Sequence, residues 1–298
     1  MFKDQLREFV NTNPKLVTMK PAGDSLFVLK YTRRVFFDSL WNDFLEECRG
    51  TVIDSDFNVI SRPFTKIYNF RVEDRSPVIN DDELVTAYRK VNGFMVAVTW
   101  HNNDVLVSTT GSTDSDFVAM AKEMMLKHMS WSDWQIEVCG AQGFTLMFEC
   151  VHPSDPHICP EHAGMYFLGL RENSWESRIN GFGVDVANHW QDYAETLKCF
   201  APGSYVLPLG ELLEKSKVAQ HEGYVFYTAD GRAAKIKTKY YLVQKALARK
   251  KDIMSLNREL IDEEYYPLVS HLTSIKEQFN ALSEQDRLSY MRQYLEQA

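Results

Sequence analysis

A lysine stands just ahead of a buried-strand pattern in the segment AYRKVNGFMVAVTW, which covers residues 87–100. Lys90 is followed by Gly93, and the apolar run from Phe94 to Trp100 predicts a strand that fixes the position of the amine. A lysine amine is a covalent nucleophile only when neutral, whereas an exposed lysine has a pKa near about 10.4. Nearby cations and burial would lower that pKa. Taken alone, the pattern also fits a solvated lysine at a strand edge.

Four further charged positions accompany Lys90 in a fixed order. Glu149 interrupts the apolar strand pattern LMFECV, and Glu222 precedes the strand pattern YVFY. The partner strand of that predicted hairpin ends in KIK, where alternation puts Lys235 and Lys237 on the same face. Each position alone fits an ordinary surface charge or turn. Their joint order is hard to explain in that way and favours a functional site.

This ordered set resembles the motifs of the covalent nucleotidyltransferase superfamily, which includes polynucleotide ligases and mRNA capping enzymes. Within it, the chain is most similar to the bacteriophage ATP-dependent RNA ligase 1 family over about Glu46 to Tyr241. The stretches that carry the similarity are KVNG, ECRG, RPFTKIYNF, EGYV and KIKTKYY. Asn92 stands where that family usually has aspartate. The resemblance implies an α+β fold, with a nucleotidyltransferase domain of antiparallel sheets and flanking helices.

The same resemblance implies a ligase activity that joins 5′-phosphate and 3′-hydroxyl RNA ends in RNA repair. In such enzymes a lysine attacks the α-phosphorus of ATP, and the AMP then moves to the RNA 5′-phosphate. The 3′-hydroxyl finally displaces AMP. The implied cofactors are ATP, as the AMP donor, and Mg²⁺ or Mn²⁺.

The resemblance also implies three groups of site residues. The catalytic group comprises Lys90, Lys235 and Lys237, of which the last two would offset phosphate charge. Glu222 is the expected metal ligand, because Mg²⁺ takes oxygen ligands. Glu149 would accept hydrogen bonds from the ribose, and Gly93 would leave space for the backbone to approach the nucleotide. The complete nucleotide-binding group is Arg49, Lys66, Tyr68, Gly93, Glu149, Tyr224, Val225 and Tyr241.

The elements that must hold these residues are mostly short strands. From about Thr51 to Lys237 the sequence alternates strand patterns with turns, including a hairpin at HNND (101–104) and another at Asp230-Gly231. From about Tyr241 onward leucines recur at helical spacing and glycine is absent. We predict an adenylyltransferase domain over 1–242 and a small all-helical C-terminal domain over 243–298.

The composition of the chain bears on how it could bind nucleic acid and on its cellular location. A net charge of −8 argues against a general coat of positive charge for nucleic-acid binding, although KIKTKYYLVQKALARKK forms a local basic stretch. The five scattered cysteines include no CxxC pair and indicate a reducing compartment. No membrane span or signal peptide is predicted. We therefore expect a cytoplasmic monomer, in the host cell if the protein is phage-encoded.

Two alternatives share some of these features. A DNA ligase or capping enzyme would have the same pocket, but these families usually carry an OB-fold after the last lysine motif, where this chain has helical spacing. A noncatalytic nucleic-acid-binding module would keep the charge without the chemistry. Attachment of AMP to the protein separates such a module from the enzyme.

Overall fold

The computed structural model describes residues 2–23, 25–155, 157–177, 192–250, 252–255 and 266–297. The first sheet is antiparallel and consists of β1 (Val17–Pro21), β2 (Leu26–Tyr31), β3 (Arg49–Asp54) and β4 (Val59–Ser61), in that order. An N-terminal helix, α1 (Phe2–Thr12), packs on one face of this sheet. Two short helices, α2 (Arg33–Phe37) and α3 (Asp43–Glu47), connect β2 to β3.

The second sheet is also antiparallel, with the strand order β10-β9-β7-β8. Its strands are β7 (Phe94–His101), β8 (Asp104–Thr109), β9 (Phe144–Val151) and β10 (Gly164–Glu172), and the helices α4 (Asp116–His128) and α5 (Trp131–Gly140) connect β8 to β9. Asn102 and Asn103 both have positive φ, as a two-residue turn of this hand requires. The predicted hairpin at 101–104 is therefore confirmed.

The third sheet has the order β11-β6-β12-β13-β5, and only the β13–β5 pair is parallel. Its strands are β5 (Tyr68–Asn69), β6 (Leu84–Arg89), β11 (Ser204–Pro208), β12 (Gly223–Thr228) and β13 (Ala233–Lys237). A short helix, α6, covers residues 192–196. One face of the sheet packs on α7 (Leu209–Val218).

The main apolar core lies between the second and third sheets and under α4 and α5. Val98 and Phe148 from the second sheet pack with Trp134 of α5, and Tyr88 and Tyr227 of the third sheet join the same cluster. Both sheets are thus buried on the faces that meet. Side chains from the two facing sheets can converge in this space.

A bundle of helices follows the third sheet. It consists of α8 (Lys239–Arg249), a 3₁₀ turn (Ile253–Ser255), α9 (Tyr266–Ser274), α10 (Lys276–Ala281) and α11 (Glu284–Gln297). Thr238 caps α8, because its hydroxyl accepts a hydrogen bond from the amide of Tyr241 at 3.1 Å. The bundle encloses its own apolar core, which includes Leu247, Leu272 and Phe279.

This architecture confirms the predicted fold class of antiparallel sheets with flanking helices and C-terminal helices. The boundary expected between residues 242 and 243 falls inside α8, and Tyr241 and Val243 on either side of it both belong to the C-terminal core. The division into domains stays a prediction. Within the described ranges, no helix has the length and apolar character needed to cross a membrane.

Candidate active site

A cavity of about 900 Å³, its solvent-open mouth included, lies between the second and third sheets. Its wall combines apolar and aromatic side chains with a few charged groups. The side chains that line it include Arg49, Ile67, Tyr88, Lys90, Met95, Glu149, Val225, Tyr227 and Lys235.

Lys90 lies in the connection that crosses from β6 in the third sheet to β7 in the second. Its backbone amide donates to the carbonyl of Gly223 at 2.8 Å, which fixes the connection on β12. Its side-chain amine donates to Oε2 of Glu222 at 2.9 Å. The side chain is 23% exposed, so the amine remains reachable from the cavity. The strand predicted after Lys90 is present as β7. The hydrogen bond to Gly223 also ties the backbone of Lys90 to β12.

The charges around Lys90 favour its protonated form. Burial lowers the pKa of Lys90, but the negative charges of Glu222 and Glu149 and the hydrogen bond to Glu222 outweigh burial, so the pKa is raised. The lowered pKa expected of Lys90 with a metal ion in the pocket stays a prediction, and the protein's own charges act in the opposite direction. Carboxylates rather than cations are the nearest charges to this amine.

Asn92 connects Glu222 to a distant loop. Its Nδ2 donates to Oε2 of Glu222 at 2.7 Å, and its Oδ1 accepts from the amide of Cys159 at 2.9 Å. An aspartate could accept the second of these bonds but, when ionised, could not donate the first. Asn92 was noticed in the sequence only as a departure from the family pattern. The structure gives it two specific partners.

Glu149 and Gly93 meet where β7 begins. The amide of Gly93 donates to Oε1 of Glu149 at 3.0 Å. A Cβ on Gly93 would lie 2.2 Å from the carbonyl oxygen of Cys150, so glycine is required by the close approach of β9. Burial raises the pKa of Glu149 to about 7, against the opposing charge of Lys90. Glu149 lines the cavity, whereas the space beside Gly93 is filled by protein backbone.

Lys235 and Lys237 leave the same face of β13, as alternation predicts. Lys235 pairs across the sheet with Val225, and both line the cavity. Burial lowers the pKa of Lys235 to about 7, helped by the charges of Arg49, Lys66, Lys237 and Lys90. The amine of Lys237 lies 4.0 Å from Oε1 of Glu222. Burial also lowers the pKa of Lys237, although Glu222 opposes this effect.

Arg49, Lys66 and Tyr68 occupy the wall beside Lys235. Arg49 lines the cavity and donates to the carbonyl of Thr65 at 3.3 Å. Lys66 forms an ion pair with Glu73, and its amine lies 4.5 Å from the centre of the Tyr68 ring. Lys66 and Tyr68 line a second, more open depression on the outside of this wall. Contact between Lys66 and a ligand in the main cavity would require the Glu73 pair to open.

Tyr224 and Tyr241, the other two aromatic residues expected to bind nucleotide, lie elsewhere. Tyr224 faces the opposite side of the sheet from Val225 and packs against Tyr205 and His221, because successive residues of a strand alternate faces. Tyr241 belongs to the C-terminal core, and its ring lies 5.1 Å from the amine of Lys237. Tyr241 therefore borders the lysines from the helical side.

A buried ion network supports the strand that carries Arg49. Glu47 accepts hydrogen bonds from Arg62 at 2.9 Å and from Arg171 at 2.8 Å, and all three side chains are nearly inaccessible. Burial raises the pKa of Glu47, but the two guanidinium groups outweigh this effect and leave it lowered. Arg171 was not identified as a functional residue from the sequence, because no neighbouring residue in the chain indicates that it pairs with Glu47. This network accounts for the glutamate of ECRG and the arginine of RPFTKIYNF structurally.

The residues present are compatible with one divalent metal ion. Among the described residues, no three His, Cys, Asp or Glu side chains form a metal-binding cluster. Mg²⁺ is nevertheless often held by one or two carboxylates together with waters and substrate phosphates. Glu222, beside a cation-lined cavity, fits that kind of donor set.

The fold resembles that of proteins described as ATP-dependent ligases. Two crystal forms of an archaeal ATP-dependent RNA ligase match with TM-scores of 0.57 and 0.55, each at 13% identity. The first match covers 98% of this chain and 79% of the other, and the second covers 97% and 75%. A proposed ATP-dependent DNA ligase from Aquifex aeolicus matches with a TM-score of 0.54 at 14% identity, covering 97% and 76%. At these identities the likeness establishes the fold.

The family follows from the sequence itself. A family model described as RNA ligase, of the T4 ligase 1 type, matches residues 47–245. That range is about two thirds of the chain and contains every residue assigned to the site. The chain belongs to this RNA ligase family, as its motifs indicated, and is a ligase.

Proposed function

We propose that this protein is an ATP-dependent RNA ligase that joins 5′-phosphate and 3′-hydroxyl ends in RNA repair. The observation that carries the proposal is the position of Lys90 between two opposite sets of charges. Its amine bonds Glu222 at 2.9 Å, and it borders a cavity that also contains Arg49 and Lys235. A nucleophile between carboxylates and a cationic pocket suits attack on a bound phosphate ester.

In the first step, the neutral amine of Lys90 attacks the α-phosphorus of ATP. A nitrogen–phosphorus bond forms, the bond to the bridging oxygen breaks, and pyrophosphate leaves with the electron pair. Lys90 must first give up a proton, and Glu222 is already its hydrogen-bond acceptor. Arg49, Lys235 and Lys237 would offset the negative charge on the phosphates.

The binding roles divide between the polar rim and the apolar interior. We assign Glu149 to the ribose hydroxyls, because it is a buried carboxylate that lines the cavity near Lys90. The aromatic and aliphatic lining, including Val225 and Tyr227, would enclose the base. Glu222 would hold Mg²⁺ or Mn²⁺, which supplies a Lewis acid for the phosphate oxygens when bound.

The later steps use the RNA ends. The AMP moves from Lys90 to the 5′-phosphate of one RNA strand, which restores the lysine and forms a phosphoanhydride. The 3′-hydroxyl of the other end then attacks that 5′-phosphate, and AMP leaves. Activating the phosphate in this way replaces a poor leaving group by a good one.

The experiment that tests this function uses three labelled nucleotides and two kinds of strand. The protein is incubated with labelled ATP, GTP or NAD and divalent metal, and then run on a denaturing gel. We expect a covalent label from ATP alone, and sealing of 5′-phosphorylated RNA in preference to the matching DNA. Labelling from GTP would indicate a capping-type enzyme, preferential sealing of nicked DNA would indicate a DNA ligase, and no label from any nucleotide would refute the proposal.

A further inference from the structure

A small aromatic surface lies on α2. We propose that Arg33, Phe36 and Phe37, called here the aromatic face, bind the single-stranded end of an RNA, with the two rings stacked against its bases and Arg33 on a phosphate. This inference rests on the proposed function and deepens it, because it names the part of the substrate that the surface recognises. It concerns the strand next to the reacting end, outside the cavity that would hold ATP.

The side chains of this face point to solvent without apolar cover. Phe36 is 58% and Phe37 is 76% exposed, and their ring centres are 5.7 Å apart at an angle of 80°. Val35, between the two pairs of exposed residues, is fully buried and anchors the helix to the core under the first sheet. Val35 thus holds α2 against the core, and the two rings stand outside it. Such adjacent exposed rings are unusual on a surface that binds nothing.

The helical spacing puts Arg33 on the same side of α2 as both rings. Arg33 is three residues before Phe36 and four before Phe37, and both separations bring side chains together on a helix. Arg34 instead turns to Asp38, with which it pairs at 3.2 Å. Within the described part of the chain Arg33 has no such carboxylate partner. One cation and two rings therefore share a face, which is the combination that single-stranded nucleic acids bind.

The strand register brings this face near the cavity. Lys30, near the end of β2, is directly opposite Arg49 at the start of β3, and Arg49 lines the cavity. Helix α2 begins three residues after Lys30. Chain geometry therefore keeps Phe36 within about 22 Å of Arg49. A strand of a few nucleotides can span that distance.

The local charge favours RNA over a protein partner. Residues 15–40 contain five basic and two acidic residues, a net of +3, while the whole chain has −8. A polyanion with exposed bases matches both the charge and the rings. An apolar protein surface or a second copy of this acidic chain would match the rings alone.

The test compares Phe36→Ala/Phe37→Ala with a control pair of exposed apolar residues, Leu126→Ala/Ile136→Ala, on α4 and α5. The substrate is a short single-stranded RNA that already carries a 5′-adenylate, so the reaction with ATP is bypassed. We expect the KM for this RNA to rise about tenfold or more in the Phe variant and to stay unchanged in the control. Labelling of Lys90 from ATP should be equal in all proteins. A Phe36→Ala/Phe37→Trp variant should regain most of the affinity for RNA that the double alanine variant loses.

Two further measurements keep this inference separate from the proposed function. Arg33→Ala should reduce the slope of log affinity against log salt by about one, because one phosphate contact is lost. Direct titration of a fluorescent RNA onto the wild type and variants reports on the surface even if the wild type never accepts AMP. Equal RNA affinities in the Phe variant and the control would overturn the inference. So would sedimentation showing that the aromatic face instead holds a wild-type dimer, which the Phe variant dissociates.

Discussion

Two lysines of the same cavity are held in opposite electrostatic surroundings. Lys90 bonds Glu222 and lies near Glu149, and these carboxylates raise its pKa. Lys235 lies in a group of cations, and burial together with Arg49 lowers its pKa to about 7. The amine of Lys90, which should attack, is therefore held in its protonated form, which is not a nucleophile. The amine that should hold phosphate is surrounded by burial and cations, which favour its neutral form.

The difference indicates how nucleotide binding prepares the reaction. Phosphates entering the cationic side would satisfy Lys235 and its neighbours, and a metal ion at Glu222 would compete with Lys90 for that carboxylate. The metal ion would reduce the negative charge that Glu222 presents to Lys90, would offset the charge of the phosphates, and would so lower the pKa of Lys90. We infer that metal binding at Glu222 provides the neutral nucleophile.

The strongest way to break this comparison is to remove the amine of Lys90. Lys90→Ala should abolish covalent labelling from ATP, because no other residue is expected to form the bond. Lys90→Arg should fail as well, since its guanidinium is effectively always protonated. Gel labelling measures both, with Lys217→Ala as a surface-lysine control. Full labelling of Lys90→Ala would show that the two lysines have been assigned the wrong roles.

The next largest effect should come from separating the two carboxylates. Glu222→Gln removes the metal ligand and should slow labelling by about 100-fold or more at limiting Mg²⁺. Glu149→Gln keeps an oxygen to accept from Gly93 and should mainly raise the ATP concentration needed, by about tenfold. The rate of lysyl-AMP formation is measured against Mg²⁺ and ATP for each variant. A shifted Mg²⁺ requirement in Glu149→Gln alone would mean that the roles are reversed.

The pH dependence of the labelling rate tests whether Lys90 is protonated before it reacts. Because the pKa of Lys90 is raised, its neutral fraction grows about tenfold per pH unit through the neutral range. At saturating ATP, the labelling rate should therefore climb from pH 6.5 to 8.5, with a slope reduced by whatever shift ATP and metal induce. Glu222→Gln should move this profile to lower pH, whatever its maximum rate. A wild-type rate that is flat across this interval would contradict a protonated resting lysine.

The smallest effect should be the change in thermal stability when Lys235 is replaced. Its folded pKa lies below the unfolded value of about 10.4, so the cost of burying this lysine is absent above that value and complete below about 7. Lys235→Met should raise the melting temperature by about 2 to 4 °C at pH 6.5, and by less at pH 9. Scanning calorimetry at both values measures this. A gain that grows with pH would have the wrong sign.

Much of this arrangement could be predicted from the sequence because it depends on strand periodicity. Alternation along β13 put Lys235 and Lys237 on one face, and the family match includes all the motifs that were recognised. The same alternation separates Val225 from Tyr224, so a motif naming both could place only one in the cavity. Periodicity says which face a residue occupies, and not which residues stand opposite it.

Partners from distant segments could not be predicted in this way. The raised pKa of Lys90 depends on Glu222, which is 132 residues away along the chain, and Asn92 meets the amide of Cys159 across 67 residues. Cys159 in turn packs in the C-terminal core with Leu247. The helical bundle therefore contacts the loop that holds Asn92, a connection that no local pattern encodes.

The most direct test of the account is to locate the AMP on the protein. Wild-type protein is incubated with ATP and Mg²⁺, digested under conditions that preserve the nitrogen–phosphorus bond, and analysed by mass spectrometry. We predict a single peptide that carries the mass of AMP, with the modification at Lys90. Modification at Lys235 or Lys237 instead, or unmodified Lys90 in protein that has demonstrably sealed RNA, would contradict the account.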